Sequence, residues 1–488
     1  MKIKLLLILF VASHLFSYGQ QTDSVAADNV WDLRKCVEYA LDQNLTIARS
    51  ETNVRSTEID LTQSRLTLLP SVNGSVSYGM SWGRSLNPVT YDYTTQELNS
   101  INPGLSSSVT LFNGMRIQNT IKQSSRSYYA AEQDLLKTKN DVMLNIASLY
   151  ITIIFNKEQL QNANFQLTSS RAQLDRISRQ VAAGAIPRSE QLNLEAQVAT
   201  NETTVIQREN ALNLSLLQLK QALQLPASTP FDIALIEVQV QDLHLEQNRD
   251  EIYEIARQTM PEIKSAHLKV ESSDYALRAA RGSLYPRVTL NGSINSNYSS
   301  ASDVRRFIPD GGDPVPTGEF QTIGLVQGTN QVVVTPMFEP SGQTVNGWNE
   351  RDQLKDNIFR SLSFSLIIPI FNNHQVRSGI ERSKVNLELA KIAEKEVDNT
   401  LRQNVENAYN DALAASKTYN ASLRVVAARE EAFRMMTQRY GAGAANTFEF
   451  QVSQNDFFQA QSDLTRAKYD FIFRKKVLDF YLGKPLEY

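Results

Sequence analysis

The sequence predicts a mainly helical fold that also supplies a membrane β-barrel. Long antiparallel coiled-coil helices form an α-barrel, each chain gives four transmembrane strands, and three chains close a 12-stranded barrel. Three observations predict this. A set of landmarks occurs twice at constant spacing, a seven-residue apolar repeat runs through segments about 70 residues long, and the stretches between alternate with period two.

The duplication comes first, because internal repeats decide an architecture before single residues can. Phe112, Gly184 and Pro226 are separated by 72 and 42 residues, and so are Phe371, Gly443 and Pro485, at an offset of 259. Local sequence agrees, with "TLFNGMRIQNTI" against "PIFNNHQVRSGI", "RQVAAGAIPRSEQ" against "QRYGAGAANTFEF", and "LQLPAS" against "YLGKPL". Upstream, Ala40, Ile47 and Pro70 match Ala256, Ile263 and Pro286 at an offset of 216. The 43-residue difference lies between the proline and the phenylalanine, so the second half has the longer insertion there. Each half reads helix, proline, variable segment, Phe-Asn turn, long helix, glycine turn, returning helix, proline.

The first residues read as a signal peptide over 1–19: Lys2 and Lys4, an apolar run from Leu5 to Ala12, and Ser17-Tyr18-Gly19 as a small-x-small cleavage site. Without it the chain has 47 basic and 52 acidic residues, a net charge of −5, which gives no support to nucleic-acid binding. No cysteine stands at the cleavage site to take a lipid anchor. Cys36 is the only cysteine, so no intrachain disulfide forms. No later apolar stretch approaches the roughly 18 to 20 residues of a membrane-spanning helix. An exported chain of this kind is either soluble or crosses a membrane as strands.

The long helices follow from periodicity. Ile146, Ile153, Leu160, Leu167, Leu174 and Val181 fall every seven residues; the positions 259 further on are Val405, Ala412, Tyr419, Val426, Phe433 and Tyr440. A strict seven-residue repeat underwinds helices into a left-handed supercoil. A second seam (Met143, Ala147, Tyr150, Ile154) beside the first implies partners on two sides. Gly184 and Gly443 end these helices as left-handed caps, and Pro187 and Asn446 start the returning ones.

Period-two alternation marks the strands. Val72, Gly74, Val76 and Tyr78 oppose Ser71, Asn73, Ser75 and Ser77; Leu105, Ser107, Val109 and Leu111 oppose Ser106, Ser108 and Thr110. In the second half Val288, Leu290 and Ile294 oppose Thr289, Asn291 and Ser293, and Leu362, Phe364 and Leu366 oppose Ser361, Ser363 and Ser365. These lengths approach the ~9 to 11 residues of a transmembrane strand. Trp82, Tyr78 and Tyr298 at one end, with Phe112 and Phe371 at the other, are expected to form aromatic girdles. Four strands do not close a barrel, and an open edge in lipid leaves backbone groups unsatisfied, so the chain must oligomerise if the strands span. A dimer gives eight strands and an interior filled by side chains, and a homotrimer, with twelve, is expected for anything that conducts.

The organisation expected is therefore a first repeat over 20–226, an equatorial segment over 227–250 and a second repeat over 251–488. The first repeat has strands at about 70–80 and 105–112 and a coiled coil over 115–225; the second has strands at about 287–298 and 358–370 and a coiled coil over 374–483.

These residues resemble the TolC-type outer-membrane efflux proteins, over nearly all of the mature sequence. The resemblance rests on the helix-Pro segments ending "LTLLPSV" and "SLYPRV", the "LFNG" and "IFNN" junctions, and the turns in "QVAAGAIPRSEQLNLEAQ" and "RYGAGAANTFEFQVSQ". It implies a trimer in the outer membrane of a Gram-negative-type bacterium, with a 12-stranded barrel, a periplasmic α-barrel and a mid-height equatorial region. It also implies docking to a periplasmic adaptor (a membrane fusion protein) and an inner-membrane pump. Two departures stand out: Asn44-Leu45 where the family often has Asn-Pro, and a long Gly-, Pro- and Asn-rich loop over 299–357.

No catalytic site, cofactor or metal is expected. His244, His267 and His374 are far apart and lack ligand spacing, and no nucleophile motif or phosphate loop occurs. Glu190 and Glu449 each lie six residues after a turn glycine, so a trimer would place six carboxylates at the periplasmic mouth, where they favour cations. The resemblance supports this ring, although Asn193 and Val452 stand where the family has a second acid. A glutamate in a first helical turn is also favoured by the macrodipole, and as capping partner of Asn446; both roles are compatible. Arg179 and Arg439 are either ordinary surface charges or partners of neighbouring helices that hold the mouth closed. The turns with Gly184, Pro187, Gly443 and Asn446 are either adaptor contacts or simple tight connections. The function expected is a passive exit duct for small molecules or drugs, not an enzyme. Type I protein secretion is one alternative, and a soluble periplasmic coiled-coil scaffold is another of a different class.

Overall fold

The computed structural model describes residues 30–86, 93–95, 97–234, 248–300, 305–329 and 331–484. The signal-peptide segment, Pro485 and most of the alternating stretch after Ile233 lie outside them. The first half runs β1 (Val30–Trp31), α1 (Leu33–Gln43), α2 (Leu45–Leu66), β2 (Ser71–Ser81), β3 (Arg84–Leu86), β4 (Tyr93–Thr95), β5 (Leu98–Phe112), α3 (Arg116–Ala182), α4 (Arg188–Ala222) and β6 (Asp232–Ile233). The second runs α5 (Arg249–Thr259), α6 (Pro261–Gly282), β7 (Arg287–Asn295), β8 (Tyr298–Ser299), β9 (Arg305–Pro309), β10 (Val315–Leu325), β11 (Val332–Glu339), β12 (Gly342–Asn346), α7 (Glu350–Asp356), β13 (Phe359–Ile367), α8 (Gln375–Gly441) and α9 (Thr447–Tyr481).

The duplication reaches residue-level geometry. Helices α3 and α8 have 67 residues each and α4 and α9 have 35 each, all offset by 259. At ~1.5 Å per residue each long helix rises about 100 Å. Backbone exceptions repeat as well. Gly114 and Met115 are left-handed at φ 65° and 63°, and so are Asn373 and His374 at 49° and 63°. Two successive left-handed residues closed by an i to i+3 bond (Arg116 N to Asn113 O, Gln375 N to Asn372 O) form the mirror-image turn that connects strand to helix.

By contacts, the chain divides into two units that cut across the repeats. One takes in the described residues of Met1–Val54, Ala131–Ala266 and Glu394–Tyr488; the other takes in Arg55–Ala130 and His267–Ala393. In the second unit the strand order is β13-β7-β5-β2, every neighbouring pair antiparallel, with β8 added to β5. Among the described residues β2 and β13 each pair with one strand only, so both outer edges are open. β5 begins at Leu98, earlier than the alternation suggested, and a register shift between Thr110 and Phe112 puts Phe112 rather than Leu111 opposite Val288. β13 stops at Ile367, ahead of Pro369, which has no N–H for a ladder. The long insertion is no structureless loop: β9 pairs with β12, β10 with β11, and α7 precedes β13.

The first unit holds the apolar cores, and equivalent residues dock equivalent helices. Cys36 and Ala40 of α1 pack with Ile146 and Ile153 of α3; their counterparts Ile252 and Ala256 of α5 pack with Val405 and Ala412 of α8. The second seam of α3 is buried with the first. Its Tyr150 hydroxyl donates to the Ala234 carbonyl at 2.7 Å, behind the parallel β1–β6 pair, and Lys157 pairs with Asp232 at 2.5 Å.

Candidate functional site

The sheet has two chemically distinct faces. The register aligns Val72, Val76 and Tyr78 with Leu105, Val109, Leu290, Ile294, Leu362, Phe364 and Leu366 on one face. Most of these are exposed in the chain, Val76 by 74% and Phe364 by 71%. The opposite face is built of small hydroxyl and amide side chains that bond one another: Ser108 Oγ donates to Asn291 Oδ1 at 2.8 Å, and the Ser293 and Ser361 hydroxyls lie 2.8 Å apart. Exposed apolar residues against a polar face suit a wall between lipid and water. Trp82, Phe112 and Phe371, the expected girdle residues, are 71%, 42% and 82% exposed.

Four helix segments of the first unit pack in a row. Between α3 and α4 the contact is mainly aliphatic, through Ala163, Leu167, Val198 and Val205, with Asn201 Nδ2 donating to Ser170 Oγ at 3.0 Å among them. Between α8 and α9 it is aromatic: Tyr440 stacks on Phe450 at 4.7 Å and Phe433 on Phe457 at 5.6 Å. Between α3 and α9 it is mixed: Phe165 meets Phe458 edge to face at 5.7 Å, and amide side chains bond across. Gln173 Nε2 donates to Gln454 Oε1 at 3.0 Å, and Gln454 Nε2 donates to Ser169 Oγ at 2.8 Å. The Tyr469 hydroxyl donates to Glu158, and burial, with that carboxylate second, pushes the phenol above its ordinary value. Thus α3 lies between α4 and α9, and α9 between α3 and α8. The polar part of the α3–α9 seam escaped sequence reading because a heptad search selects apolar positions, and Gln159 and Gln454 are buried polar ones.

The two glycine turns share one geometry. Gly184 (φ 73°) closes α3 with Ala185 N donating to Gln180 O and Gly184 N to Val181 O; Gly443 (φ 72°) closes α8 with Ala444 N to Arg439 O and Gly443 N to Tyr440 O. Both are Schellman caps, which satisfy carbonyls that the helix end leaves free. Their N-caps differ. Asn446 Oδ1 accepts the Glu449 N–H at 2.8 Å, whereas Pro187 gives α4 no side-chain bond. Glu449 is exposed, while Glu190 is half-buried on the stripe of Leu194, Val198 and Val205 that faces α3. The arginines do not bridge to neighbouring helices of the same chain. Arg179 pairs with Asp175 on its own helix, and Arg439 donates to the Ala444 carbonyl of its own turn at 3.3 Å. Arg176 instead lies over the Tyr440 ring, 5.7 Å from its centroid, and links α3 to α8.

Among the described residues no cluster of His, Cys, Asp or Glu has the arrangement to hold a metal ion. Likewise no described helix is long and apolar enough to cross a membrane.

Comparison with known proteins places this geometry. The family described as "Outer membrane efflux protein" matches residues 36–224 and 252–484. Nodulation protein T of Rhizobium leguminosarum bv. viciae is 22% identical over 460 residues, covering 93% of this chain and 83% of the relative. Outer membrane efflux protein BepC of Brucella suis biovar 1 is 21% identical over 444 residues, covering 89% and 81%. Among solved structures, the fold superposes on CusC with a TM-score of 0.73 at 15% identity, covering 93% of this chain and 92% of that one.

Proposed function

The chain belongs to the outer membrane efflux protein family, and from that membership we propose how it builds and opens its channel. It is an efflux channel of the outer membrane with a periplasmic extension, so the alternative of a soluble periplasmic scaffold falls. The family and the fold are those of channel proteins.

The open sheet carries the assembly. Two unpaired edges, β2 and β13, are not tolerated in lipid. Two chains would give eight strands and an interior filled by side chains; three give twelve and room for water against the Ser and Asn face. The chain therefore acts as a homotrimer, with the apolar face and the Trp82, Phe112 and Phe371 girdles against outer-membrane lipid. The helix row leads to the same closure. α4 and α8 stand at its ends, and each exposes apolar side chains, Leu192 and Ile206 on α4, Val425 and Met435 on α8. Meeting between neighbouring chains covers both.

The periplasmic mouth lies at the glycine turns. Gly184 and Pro187, with Gly443 and Asn446, present the adaptor contact, and an inner-membrane pump supplies the energy. Glu449 and Glu190 set the charge of the mouth, and Arg179 and Arg439 brace the turns beside them. The duct is passive, uses no cofactor and catalyses nothing. Its cargo is small molecules rather than secreted proteins, in keeping with BepC, a relative named for efflux. Native mass spectrometry of the protein extracted from outer membranes tests the assembly. Three chains per particle are expected, and a stable monomer or dimer contradicts it.

A further inference from the structure

A cavity of about 410 Å³ lies where the strands hand over to the helices, and the channel reading leaves it unused. Its lining includes Arg116, Arg287, Thr67, Thr110, Thr120 and Ser283, and no carboxylate. Arg116 opens α3 and Arg287 opens β7. Among the described residues neither guanidinium has an ion-pair or hydrogen-bond partner.

The backbone is built to form this place. A Cβ on Gly114 would stand 2.3 Å from the Gly282 carbonyl oxygen, and one on Gly282 would stand 2.7 Å from the Gly114 carbonyl oxygen and 3.1 Å from Arg116 Cβ. The end of α6 therefore rests directly on the β5–α3 turn, which fixes Arg116 beside it. By register Arg287 stands opposite Ile367, two residues from the Thr289–Ser365 pair, and so lies on the polar face of the sheet.

The surrounding sequence withholds any counter-charge. Segments 61–91, 98–131, 275–302 and 357–380 contain no Asp or Glu, while Arg65, Arg116, Arg281, Arg287, Arg360 and Arg377 fall within them. The Thr67 hydroxyl donates to the Ser64 carbonyl, but uncompensated guanidiniums beside the hydroxyls of Thr110, Thr120 and Ser283 favour an anion that accepts several hydrogen bonds at once. A phosphate group has that shape and charge, and the cavity has space for an organic substituent on it.

We propose that this cavity binds a phosphate group, borne by a small solute or by a lipid headgroup. Its position on the conduit side rests on the channel reading; its chemistry does not. The test titrates the purified full-length protein in neutral detergent with inorganic phosphate and glycerol phosphate, followed by calorimetry. A second arm counts phosphatidylglycerol retained from doped micelles by native mass spectrometry. Binding of glycerol phosphate identifies a soluble source, and retention of phosphatidylglycerol alone identifies the lipid. In either case Arg116→Gln or Arg287→Gln is expected to weaken binding about tenfold, the scale of one charge-assisted hydrogen bond. Arg360→Gln, on the opposite sheet face, is expected to leave it unchanged.

If Arg116→Gln does not assemble, Arg287→Lys decides, because it keeps the charge and loses the planar fork; severalfold weakening is expected. No binding in any arm, or binding indifferent to Arg116 and Arg287, overturns the site. Chain count and conductance report on the channel separately, so either reading can fail alone.

Discussion

Gln159 of α3 and Ser462 of α9 hold each other twice: Gln159 Nε2 donates to the Ser462 carbonyl at 3.0 Å, and Ser462 Oγ donates to Gln159 Oε1 at 2.5 Å. Gln159 is 3% exposed, so this polar pair sits inside the wall that joins the first repeat to the second. Hydrogen bonds demand one register, whereas apolar seams tolerate sliding.

Replacing Gln159 with leucine takes both cross-helix bonds away and leaves the half-buried Ser462 hydroxyl without its acceptor, a loss of about 1 kcal/mol. The helical melting transition followed by circular dichroism is expected to shift down, while Gln459→Ala, at an exposed position of α9, leaves it in place. An unshifted Gln159→Leu transition would show that the pair contributes no register.

The glycines separate into two kinds. A Cβ at Gly443 meets nothing within 4 Å, so Gly443→Ala carries only the strain of a left-handed backbone, roughly 1 kcal/mol. Gly114→Ala drives a methyl group into the Gly282 carbonyl, and the backbones must part. Outer-membrane yield of folded protein is expected near normal for the first variant and strongly reduced for the second.

Cys36 reports on the docking of α1. Burial first, and the Asp32 carboxylate second, push its thiol from 9.0 up to about 12. A pKa raised by folding means that the protonated thiol is the form the fold prefers. Its contribution is intact below the ordinary thiol range and declines as pH rises from there through about 12. At pH 8 a maleimide is therefore expected to label Cys36 only after denaturation. Rapid labelling of the folded protein would mean that α1 is not seated on α3.

Glu190 and Glu449, the glutamates proposed for the mouth, are equivalent in the duplication and unequal in exposure. Glu449→Gln is expected to reduce cation preference, read as the reversal potential in a salt gradient, more than Glu190→Gln does. Equal effects would contradict the difference in packing between α4 and α9.

Much of this was legible in the sequence because it depends on spacing. The paired 72-residue interval appears as two helices of 67 residues plus their turns, and Gly184 and Gly443 adopt the left-handed caps expected of them. Other features depend on energies that spacing does not reveal. Met115 and His374 take up left-handed backbone because they follow Gly114 and Asn373 in a turn that reverses strand into helix, not because of their own preference. The shift at Phe112 arises from cross-strand pairing with Val288, which no single strand encodes. Arg179 and Arg439 found partners on their own helix and turn because those groups were nearest, an outcome that charge pattern alone does not settle. The Arg116 and Arg287 cavity needed the contact of Gly114 with Gly282, residues 168 positions apart.

The central claim is that copies of this chain close into a water-filled duct through a membrane. Single-channel recording in planar bilayers tests it most directly, using purified protein first shown to be folded. Discrete unitary currents are predicted, with a cation preference that Glu449→Gln lowers. Folded protein that inserts and passes no current would contradict the account.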